Sequence, residues 1–496
     1  MEDDWTVSAN DALTISFVRP GKSSKLEPIT SFNPRFTYAI FGDKELVFGY
    51  KGLKINLKYD ARDLRPNLTV SYTRKFTAVG DVEALDIREK LKEFLPSVAF
   101  QSKHDYEQAA KDLPKTWVPP GHLLRTFVKN GETYEIWHGT LNDPAVKQLL
   151  QRVQIVALFF IEGATYTGED SEGNVEPDYC LARWSVFFVY KKEVKQDVSP
   201  DPQYTFQGYS TVYNFWVFQA SALQGDLKTV LSGDSQKFDR LPLEVSSHRM
   251  RISQFLILPP FQGKGIGSLL YNTIFEIGMK TQSAMEFAVE DPNEDFDLLR
   301  DLCDLKYLRK NVPEFVNLEV NTEVTVPKKG GILHNDTRVT PHREPSGSAV
   351  SSSKGIVDLE KLELLRRKTK IAPRQFWRLV EMHLMSKLPE SVRPRLDDAE
   401  KPEASQADKH AYTLWRLVLK QRVYRRNVSQ LGEFEVTERI LKLNETVANI
   451  EWEYAVILGR LESKPPIADN SATNDGKRKL NGVDDVDMPS SKKART

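Results

Sequence analysis

The chain has 496 residues, of which 40% are hydrophobic and 28% charged, a composition typical of a globular protein of about three domains. Its 69 basic and 69 acidic residues cancel, which excludes binding to nucleic acid or anionic membrane through overall charge. Two cysteines, Cys180 and Cys303, exclude a disulfide framework and a paired-cysteine zinc site and predict a reducing compartment. The start of the chain has no pattern of a secretory signal, and the longest apolar run, 155–161, is too short to span a bilayer.

The N-terminal part of the chain is predicted to be mainly strands, followed by helix. Residues 53–57 and 68–72 alternate apolar and polar residues with a period of two, a pattern typical of half-buried strands, and the apolar segments 36–41 and 45–48 flank a polar turn. The predicted elements are strands at residues 36–41, 45–48, 53–57 and 68–72, a helix at 83–96, a proline-rich loop at 113–120 and a helix at 143–152. We therefore expect residues 1–150 to form an N-terminal domain of mixed strands and helices.

Further apolar segments predict a sheet in the middle of the chain. The predicted strands are 153–161, 184–190, 211–218, one that starts near residue 251, and 284–289, with a helix from Ser268 to about Thr281 before the last of them. The segment 153–161 is apolar almost throughout, which favours a buried strand. Residues 151–320 are accordingly expected to form an α/β domain.

The C-terminal part is predicted to be helical between two disordered segments. Residues 321–357 are polar and poor in aromatic residues, which predicts a disordered insert. Residues 358–463 are predicted to form a helical C-terminal domain, and residues 464–496 a disordered tail. One apolar stripe with steps of three and four supports a long helix: Ile440, Leu443, Val447, Ile450, Tyr454, Ile457 and Leu461.

A glycine cluster, Gln262–Gly267, lies between an apolar strand and a predicted helix. The first N–H groups of a helix lack partners and lie at the positive end of its dipole, and glycine lets a diphosphate approach the backbone closely. The cluster lacks the Lys-Ser/Thr pair of a P-loop nucleotide enzyme. It also differs from the G-x-G-x-x-G pattern of a Rossmann turn, because its third glycine follows the second by two residues and not by three. The arrangement of Gln262, Gly265 and Gly267 resembles the acetyl-CoA diphosphate motif of the GNAT superfamily of N-acetyltransferases.

Longer peptides narrow this resemblance to one family, the type B histone acetyltransferase catalytic subunits. The matching peptides are Tyr38-Ala-Ile-Phe-Gly-Asp43, Phe48-Gly-Tyr-Lys-Gly-Leu-Lys54, Thr211-Val-Tyr-Asn-Phe215, Phe255-Leu-Ile-Leu-Pro-Pro-Phe-Gln-Gly-Lys-Gly-Ile-Gly267 and Val289-Glu-Asp-Pro-Asn293. They follow one another in the expected order between residues 38 and 293. The resemblance implies an α/β GNAT fold with a mixed central sheet at 151–320, a histone-contacting N-terminal mixed α/β domain and a C-terminal helical domain.

The reaction that the resemblance implies is transfer of an acetyl group from acetyl-CoA, as co-substrate, to a lysine ε-amine, without a metal. The attacking amine must be neutral, and free lysine has a pKa of about 10.4, so a general base is needed. The family resemblance assigns this role to Glu290. Glu162 and Asp291, which also follow predicted apolar strands, stay open as alternatives.

The resemblance also assigns the coenzyme contacts. The backbone of Phe255, Leu256 and Ile257 is expected to pair with the acetyl-pantetheine arm like an added strand. The diphosphate is expected to contact the glycine turn, and one further contact comes from the end of the Glu-Asp-Pro-Asn peptide. The residues so assigned are Gln262, Gly263, Lys264, Gly265, Ile266, Gly267, Ser268 and Asn293.

Two acidic segments flank the predicted site and favour a basic acceptor. Residues 162–178 hold six acids and no Lys or Arg, and residues 286–301 hold seven acids and one arginine, so both would attract a lysine-rich peptide. The resemblance implies that this peptide is the tail of histone four. Its expected contacts are Asp43, Lys44, Glu45, Glu162, Trp184, Tyr213, Asn214 and Phe215, where Lys44 departs from a more acidic family pattern.

The family resemblance extends to partners and cellular role. It implies a WD-repeat β-propeller subunit, newly synthesised soluble histone as the substrate, and roles in chromatin assembly, histone deposition, telomeric silencing and DNA repair. Two basic clusters, Arg478-Lys479 and Lys492-Lys493-Ala-Arg495, resemble a bipartite nuclear localisation signal, so both cytoplasm and nucleus are expected. The alternative function is a non-catalytic histone-binding scaffold that keeps the fold.

Overall fold

A computed structural model describes most of the chain. The described residues are 5–21, 26–170, 172–195, 199–217, 247–326, 355–396 and 402–462. Most of the predicted insert and the predicted tail, including both basic clusters, lie outside the described residues. Among the described helices, none is both long and apolar enough to cross a membrane.

The N-terminal region is built on a four-stranded sheet. The described strands of this region are β1 (Thr6–Ser8), β2 (Leu13–Pro20), β3 (Leu26–Phe32), β4 (Leu46–Phe48), β5 (Tyr50–Lys51), β6 (Lys54–Asp60), β7 (Pro66–Ser71) and β8 (Arg74–Lys75). The sheet has the order β3-β2-β6-β7, with β2 and β6 parallel, while β1 pairs with β4 and β5 with β8. Alternate residues of β6, such as Ile55 and Leu57, are buried, as the period of two in residues 53–57 predicted. The predicted strands at 45–48, 53–57 and 68–72 are confirmed.

Helices surround this sheet, and one of them replaces a predicted strand. They are α1 (Ala9–Ala12), α2 (Tyr38–Phe41), α3 (Ile87–Lys92) and α4 (Lys103–Asp112), with a 3₁₀ turn at Ser97–Phe100. The prediction of a strand at 36–41 is wrong. The Glu45 carboxylate accepts hydrogen bonds from the Thr37 and Tyr38 N–H groups, and so supplies acceptors that the first turn of α2 lacks. The helix predicted at 83–96 is confirmed in its middle by α3.

A six-stranded sheet forms the centre of the chain. Its strands are β9 (His122–Lys129), β10 (Glu132–Thr140), β11 (Trp184–Lys195), β12 (Ser199–Trp216), β13 (His248–Ile257) and β14 (Ala284–Val289). Their order is β14-β13-β12-β11-β10-β9, and neighbours are antiparallel except β13 and β14, which are parallel. The predicted strands from residue 184 onward are confirmed. Because β9 and β10 belong to this sheet, it runs across the domain limit that we placed at residue 150.

Helices pack on the central sheet and again include one segment predicted as a strand. They are α5 (Pro144–Val153), α6 (Ile155–Phe160), α7 (Asp178–Leu181), α8 (Ile266–Lys280), α9 (Glu294–Asn311) and α10 (Pro313–Val316). The prediction of a strand at 153–161 is wrong, because this segment continues α5 as α6. Ile155, Val156, Ala157 and Phe159 are all buried, so the helix is covered on every side and its sequence shows no helical period.

The C-terminal described region is helical, as predicted. Its helices are α11 (Leu359–Thr369), α12 (Pro373–Lys387), α13 (Gln406–Arg426), α14 (Val428–Gly432) and α15 (Val436–Glu462). The predicted stripe on α15 faces the core at Leu443, Val447, Tyr454 and Ile457, while Ile440 near the start of the helix is 49% exposed. The bundle contacts the central sheet through α9 and a short backbone pairing of Phe287 with Ile371.

Candidate functional site

A cleft opens where two parallel strands of the central sheet separate. β14 pairs with β13 as far as Val289 opposite Ile252, and the Glu290 N–H donates to the Ile252 carbonyl at 2.9 Å. Beyond this point β13 continues beside β12 alone. The resulting cleft has a volume of about 410 Å³ and is lined by Arg35, Phe36, Phe160, Ile161, Glu162, Ile252, Ser253, Phe255, Val289, Glu290, Asp291, Pro292, Asn293 and Phe296.

The last residues of β13 present an edge of their backbone to this cleft. The Ser210 hydroxyl donates to the Gln254 carbonyl and the Leu258 N–H to the Gln207 carbonyl, so from Gln254 onward the backbone groups of the even-numbered residues point toward β12. Backbone groups alternate sides along a strand, which directs those of Phe255 and Ile257 to the open side. Within the described residues, no strand pairs with β13 on that side past Ile252. An extended ligand can therefore pair with the backbone groups of Phe255 and with the N–H of Ile257, whereas the backbone groups of Leu256 point toward β12.

The glycine turn lies at the end of this open edge. After a 3₁₀ turn at Pro259–Phe261, the Gln262 side-chain amide donates to the Ile257 carbonyl at 2.8 Å, which ties the turn to the strand. Gly263 and Gly265 have φ values of +74° and +77°, in the left-handed region that favours glycine. Gly265 is the N-cap of α8, and no side chain caps this helix end in the described structure.

The turn fits a diphosphate through its backbone. The first N–H groups of the 15-residue helix α8 have no side-chain acceptor, which makes its start favourable for an anion. A Cβ at Gly263 would meet no atom within 4 Å, whereas one at Gly267 would lie 3.1 Å from Leu299 Cδ1. Gly263 thus leaves the turn open, whereas a Cβ at Gly265 would lie 2.9 Å from Lys129 Nζ, and Gly267 lets α8 pack against α9. Ile266 is buried, and Lys264 and Ser268 flank the start of the helix.

Three carboxylates predicted as candidate bases all line the cleft. Glu290 is held from two sides: the Ser253 hydroxyl donates to Oε2 at 2.8 Å, and Arg251 Nη2 lies 3.0 Å from Oε1. Asp291 follows it with φ of +31°. Glu162 lies on the opposite wall, where it follows helix α6 and not the predicted strand. Glu290 is the only one of the three, among the described contacts, whose carboxylate bonds to a cleft residue.

Asn293 is part of the cleft wall and also caps a helix. Its side-chain oxygen accepts a hydrogen bond from the Phe296 N–H at 2.9 Å, which fixes the start of α9. Phe296 in turn packs edge-to-face on Phe255, with ring centroids 5.0 Å apart. The capping oxygen is occupied, so a ligand contact of Asn293 would have to use its NH₂ group.

The predicted aromatic contacts form a surface on strands β11 and β12. Trp184 and Tyr213 have ring centroids 4.7 Å apart, and Tyr213 and Phe215 4.6 Å. Asn214 points the other way: it is 5% exposed, and its NH₂ group donates to the Arg183 carbonyl. The structure therefore brings the three aromatic residues together and places Asn214 in the core.

Of the three residues at 43–45 predicted to contact the acceptor, two are exposed and one has its carboxylate bonded within the protein. Asp43 and Lys44 are exposed in a turn. Glu45 has φ of +54°, and its carboxylate is occupied by Thr37, Tyr38 and Asn10. Its described contacts are those of a structural cap for α2, which is a different role from the predicted one.

The acidic segment 286–301 carries less uncompensated charge than its composition suggests. Glu286 lies 2.8 Å from Arg249 Nε, and Asp301 lies 2.6 Å from Arg378 Nε. Such ion pairs cancel much of the field that these acids would project. In segment 162–178, Glu176 accepts a hydrogen bond from the neutral Trp184 indole, which leaves its charge in place, so attraction of a basic peptide depends on this segment and on the acids at the cleft.

Several residues of the cleft carry no signal in the sequence. Arg35 and Phe36 precede α2 and reach the cleft because their N–H groups donate to the Phe159 carbonyl. Phe160 and Ile161 belong to the segment predicted as a strand. Ser253 and its contact to Glu290 join residues 37 positions apart, and no local pattern marks such a pair.

Comparisons with known proteins identify the same family that the matching peptides of the sequence indicated. Residues 5–162 match the family model "Histone acetyl transferase HAT1 N-terminus", and residues 348–389 match "Fungal HAT1, C-terminal". A protein of Gibberella zeae named histone acetyltransferase type B catalytic subunit is 44% identical, over 100% of this chain and 99% of its own length. Proteins of the same name from Neurospora crassa and Pyricularia oryzae are each 40% identical, over 98% of their lengths.

An acyltransferase is the class of enzyme to which these relatives belong. With this identity over the full length, the chain belongs to the family of histone acetyltransferase type B catalytic subunits. Membership implies acetyl-CoA as the co-substrate, and the open edge of β13 together with the glycine turn fits such a ligand.

Proposed function

We propose that this protein transfers the acetyl group of acetyl-CoA to lysine ε-amines on the N-terminal tail of histone four, on a GNAT-type fold. One observation carries the proposal: the Glu290 carboxylate lies in a cleft between the open edge of β13 and the neighbouring strand, next to a glycine turn that begins helix α8. A base and a backbone edge thus share one cleft, and an anion-binding turn follows at the end of that edge.

The coenzyme contacts follow from the geometry of β13 and the glycine turn. Acetyl-CoA supplies the activated acetyl group as a thioester. The backbone groups of Phe255 and the N–H of Ile257, whose carbonyl already accepts a hydrogen bond from Gln262, pair with the extended pantetheine arm, and the N–H groups at the start of α8 bind the diphosphate. A backbone N–H on that edge stabilises the negative charge that develops on the thioester oxygen. Asn293 contributes its NH₂ group from the opposite wall.

Glu290 acts as the general base of the reaction. A lysine ammonium has no free electron pair, and with a pKa of about 10.4 it is almost fully protonated at neutral pH. Glu290 takes the proton, directly or through one water molecule, and the neutral amine attacks the thioester carbon. The tetrahedral adduct then breaks its C–S bond, so coenzyme A leaves as a thiolate, which takes up a proton from solvent while the nitrogen loses its second proton. Asp291 and Glu162 line the same cleft and are the alternatives if Glu290 proves dispensable.

The transfer is direct, without an acetyl-cysteine intermediate. Burial raises the pKa of the Cys303 thiol to about 11, so this residue is not a thiolate at neutral pH. Neither cysteine is among the described residues that line the cleft. The chain therefore offers a base at the reacting centre and, in the described cleft, no cysteine nucleophile of its own.

The acceptor is proposed to lie along the aromatic surface of Trp184, Tyr213 and Phe215. Aromatic faces can grip the aliphatic stem of a lysine and attract its charged end. Asp43 and Lys44 are exposed and stay candidates for tail contacts, while Glu45 acts through the position of α2. The proposal includes newly synthesised histone as the substrate, work in cytoplasm and nucleus with a WD-repeat β-propeller subunit, and roles in histone deposition and DNA repair.

The proposal is tested by removing the charge of the base alone. Glu290→Gln should bind acetyl-CoA with wild-type affinity and lower kcat on histone four by about a hundredfold, within the usual contribution of a general base. Glu286→Gln is the matched control, since it makes the same change on strand β14 outside the cleft, and it should keep wild-type kcat. Wild-type turnover in Glu290→Gln would assign the base to Asp291 or Glu162.

A further inference from the structure

A row of side chains crosses one face of the central sheet and ends at Glu290. Residues directly opposite each other in an antiparallel pair share a face. Trp184 is opposite Tyr213, and Tyr213 is opposite Arg251, so these three share a face with Phe215, two residues after Tyr213. The row therefore connects the aromatic surface with the cleft.

Arg251 is the member of this row that contacts both ends. Its guanidinium carbon lies 4.2 Å from the centroid of the Phe215 ring, a cation–π distance. Its Nη2 lies 3.0 Å from Glu290 Oε1. A planar guanidinium stacked on a ring loses most of its freedom, so its bond to the carboxylate has a defined direction.

Ser253 completes the support of the carboxylate from the same strand. Its hydroxyl donates to Glu290 Oε2 at 2.8 Å, so each oxygen of Glu290 has one partner and keeps a second lone pair for the acceptor amine. The plane of the carboxylate is thereby fixed relative to β13, the strand whose open edge is proposed to hold the coenzyme.

The arginine is not placed for stability alone. Its Nε is buried and has no hydrogen-bond partner in the described structure. A buried donor without a partner costs stability, and an arginine that served only to bind the sheet together would be expected to satisfy it. Its position over Phe215 is maintained in spite of this cost, which points to a role at the cleft.

We propose that Arg251 and Ser253 are positioning residues for acetyl transfer. They hold the two oxygens of Glu290 so that the carboxylate faces the acceptor amine, and Phe215 holds Arg251. An acceptor that lies on the aromatic surface is thereby aligned with the base through one side chain. This inference rests on the proposed function, because it assigns a purpose to residues around the proposed base.

The test is a double-mutant cycle on kcat with histone four, in the full-length protein. Arg251→Met should lower kcat about tenfold, the effect of one charged hydrogen bond, with an unchanged KM for acetyl-CoA. In the Glu290→Gln background the same change should lower kcat by less than about twofold, because its effect passes through the carboxylate. Ser253→Ala should behave in the same way, and it keeps the test decisive if Arg251→Met unfolds.

Arg249→Met is the matched control, since Arg249 pairs with Glu286 across the same two strands at 2.8 Å without lining the cleft. It should keep wild-type kcat. Losses from Arg251→Met and Glu290→Gln that multiply, or an unchanged kcat in both Arg251→Met and Ser253→Ala, would overturn the inference. Failure of the proposed function looks different, because the wild-type chain would then transfer no acetyl group.

Discussion

Replacement of Gly265 by alanine separates the role of the glycine turn in folding from its role in coenzyme binding. At φ of +77° an alanine is strained by about 1–2 kcal/mol. Its Cβ would lie 2.9 Å from Lys129 Nζ, the end of a flexible side chain that can move at little cost. We therefore expect the free energy of unfolding to fall by about 1–2 kcal/mol and the protein to remain folded.

The free energy of acetyl-CoA binding should fall by more than the free energy of unfolding does. The added methyl group lies at the start of α8, where the N–H groups are proposed to bind the diphosphate, and a hydrogen bond to a charged group contributes about 1.5–3 kcal/mol. Loss of one such bond raises Kd by about ten- to a hundredfold, measurable by calorimetric titration with acetyl-CoA.

Gly80→Ala is the control for this prediction. Gly80 has φ of +60°, and a Cβ at this position would meet no atom within 4 Å, so the substitution introduces similar strain outside the glycine turn. Its affinity for acetyl-CoA should be that of the wild type. The reasoning is refuted if Gly265→Ala is destabilised as expected and still binds acetyl-CoA with a Kd within about twofold of the wild-type value.

Two further predictions concern the helical region. Glu381 is fully buried and accepts hydrogen bonds from Arg422 at 2.5 and 2.7 Å, so Arg422→Met should cost about 3–5 kcal/mol in chemical denaturation, because the buried charge loses its counter-ion and keeps the hydrogen bond from the Tyr454 hydroxyl. Lys103→Met, at an exposed position, should cost less than about 0.5 kcal/mol, and equal losses would contradict this. Burial, with the charge of Arg309, lowers the pKa of His383 to about 4. The contribution of the neutral imidazole to the free energy of unfolding is therefore complete above a pH of about 6.5, and roughly 3 kcal/mol of it is lost as the pH falls toward about 4. His383→Leu should make the free energy of unfolding depend less steeply on pH over that range. An unchanged slope would contradict the assignment.

The sequence predicts the central sheet well because its strands carry local patterns. Residues 184–190 and 284–289 are short apolar runs between polar turns, and the structure places them in β11 and β14. Residues 155–160 are as apolar, yet they form the helix α6. A segment buried on all sides shows neither period, so its sequence alone cannot distinguish helix from strand.

The prediction of a strand at residues 36–41 was wrong for a different reason. Residues 36–41 form an apolar segment before a polar turn, which predicted a strand, but the Glu45 carboxylate bonds to the N–H groups of Thr37 and Tyr38 and to the Asn10 side chain. These contacts depend on where the turn places Glu45, which no local pattern records. The same contacts give Glu45 a structural role, where the family resemblance had predicted contact with the histone tail.

The candidate site was predictable in its motifs and not in its contacts. The glycine turn and the Glu-Asp-Pro-Asn peptide are contiguous, so each can be recognised from the order of its residues alone. The partners of Glu290 could not, because Arg251 and Ser253 reach it from another strand, and Arg35 enters the cleft from the N-terminal region. Functional residues that lie in one peptide can be inferred from the sequence. The residues that orient them come from other elements and are identified only from the fold.

Mass spectrometry of histone four after incubation with the purified chain and isotopically labelled acetyl-CoA tests the central claim most directly. The account predicts labelled acetyl groups on lysine ε-amines of the N-terminal tail, which appear with the wild-type chain and are strongly reduced with Glu290→Gln. A chain that binds both acetyl-CoA and histone four and yet leaves every lysine unmodified would contradict it and favour a histone-binding scaffold.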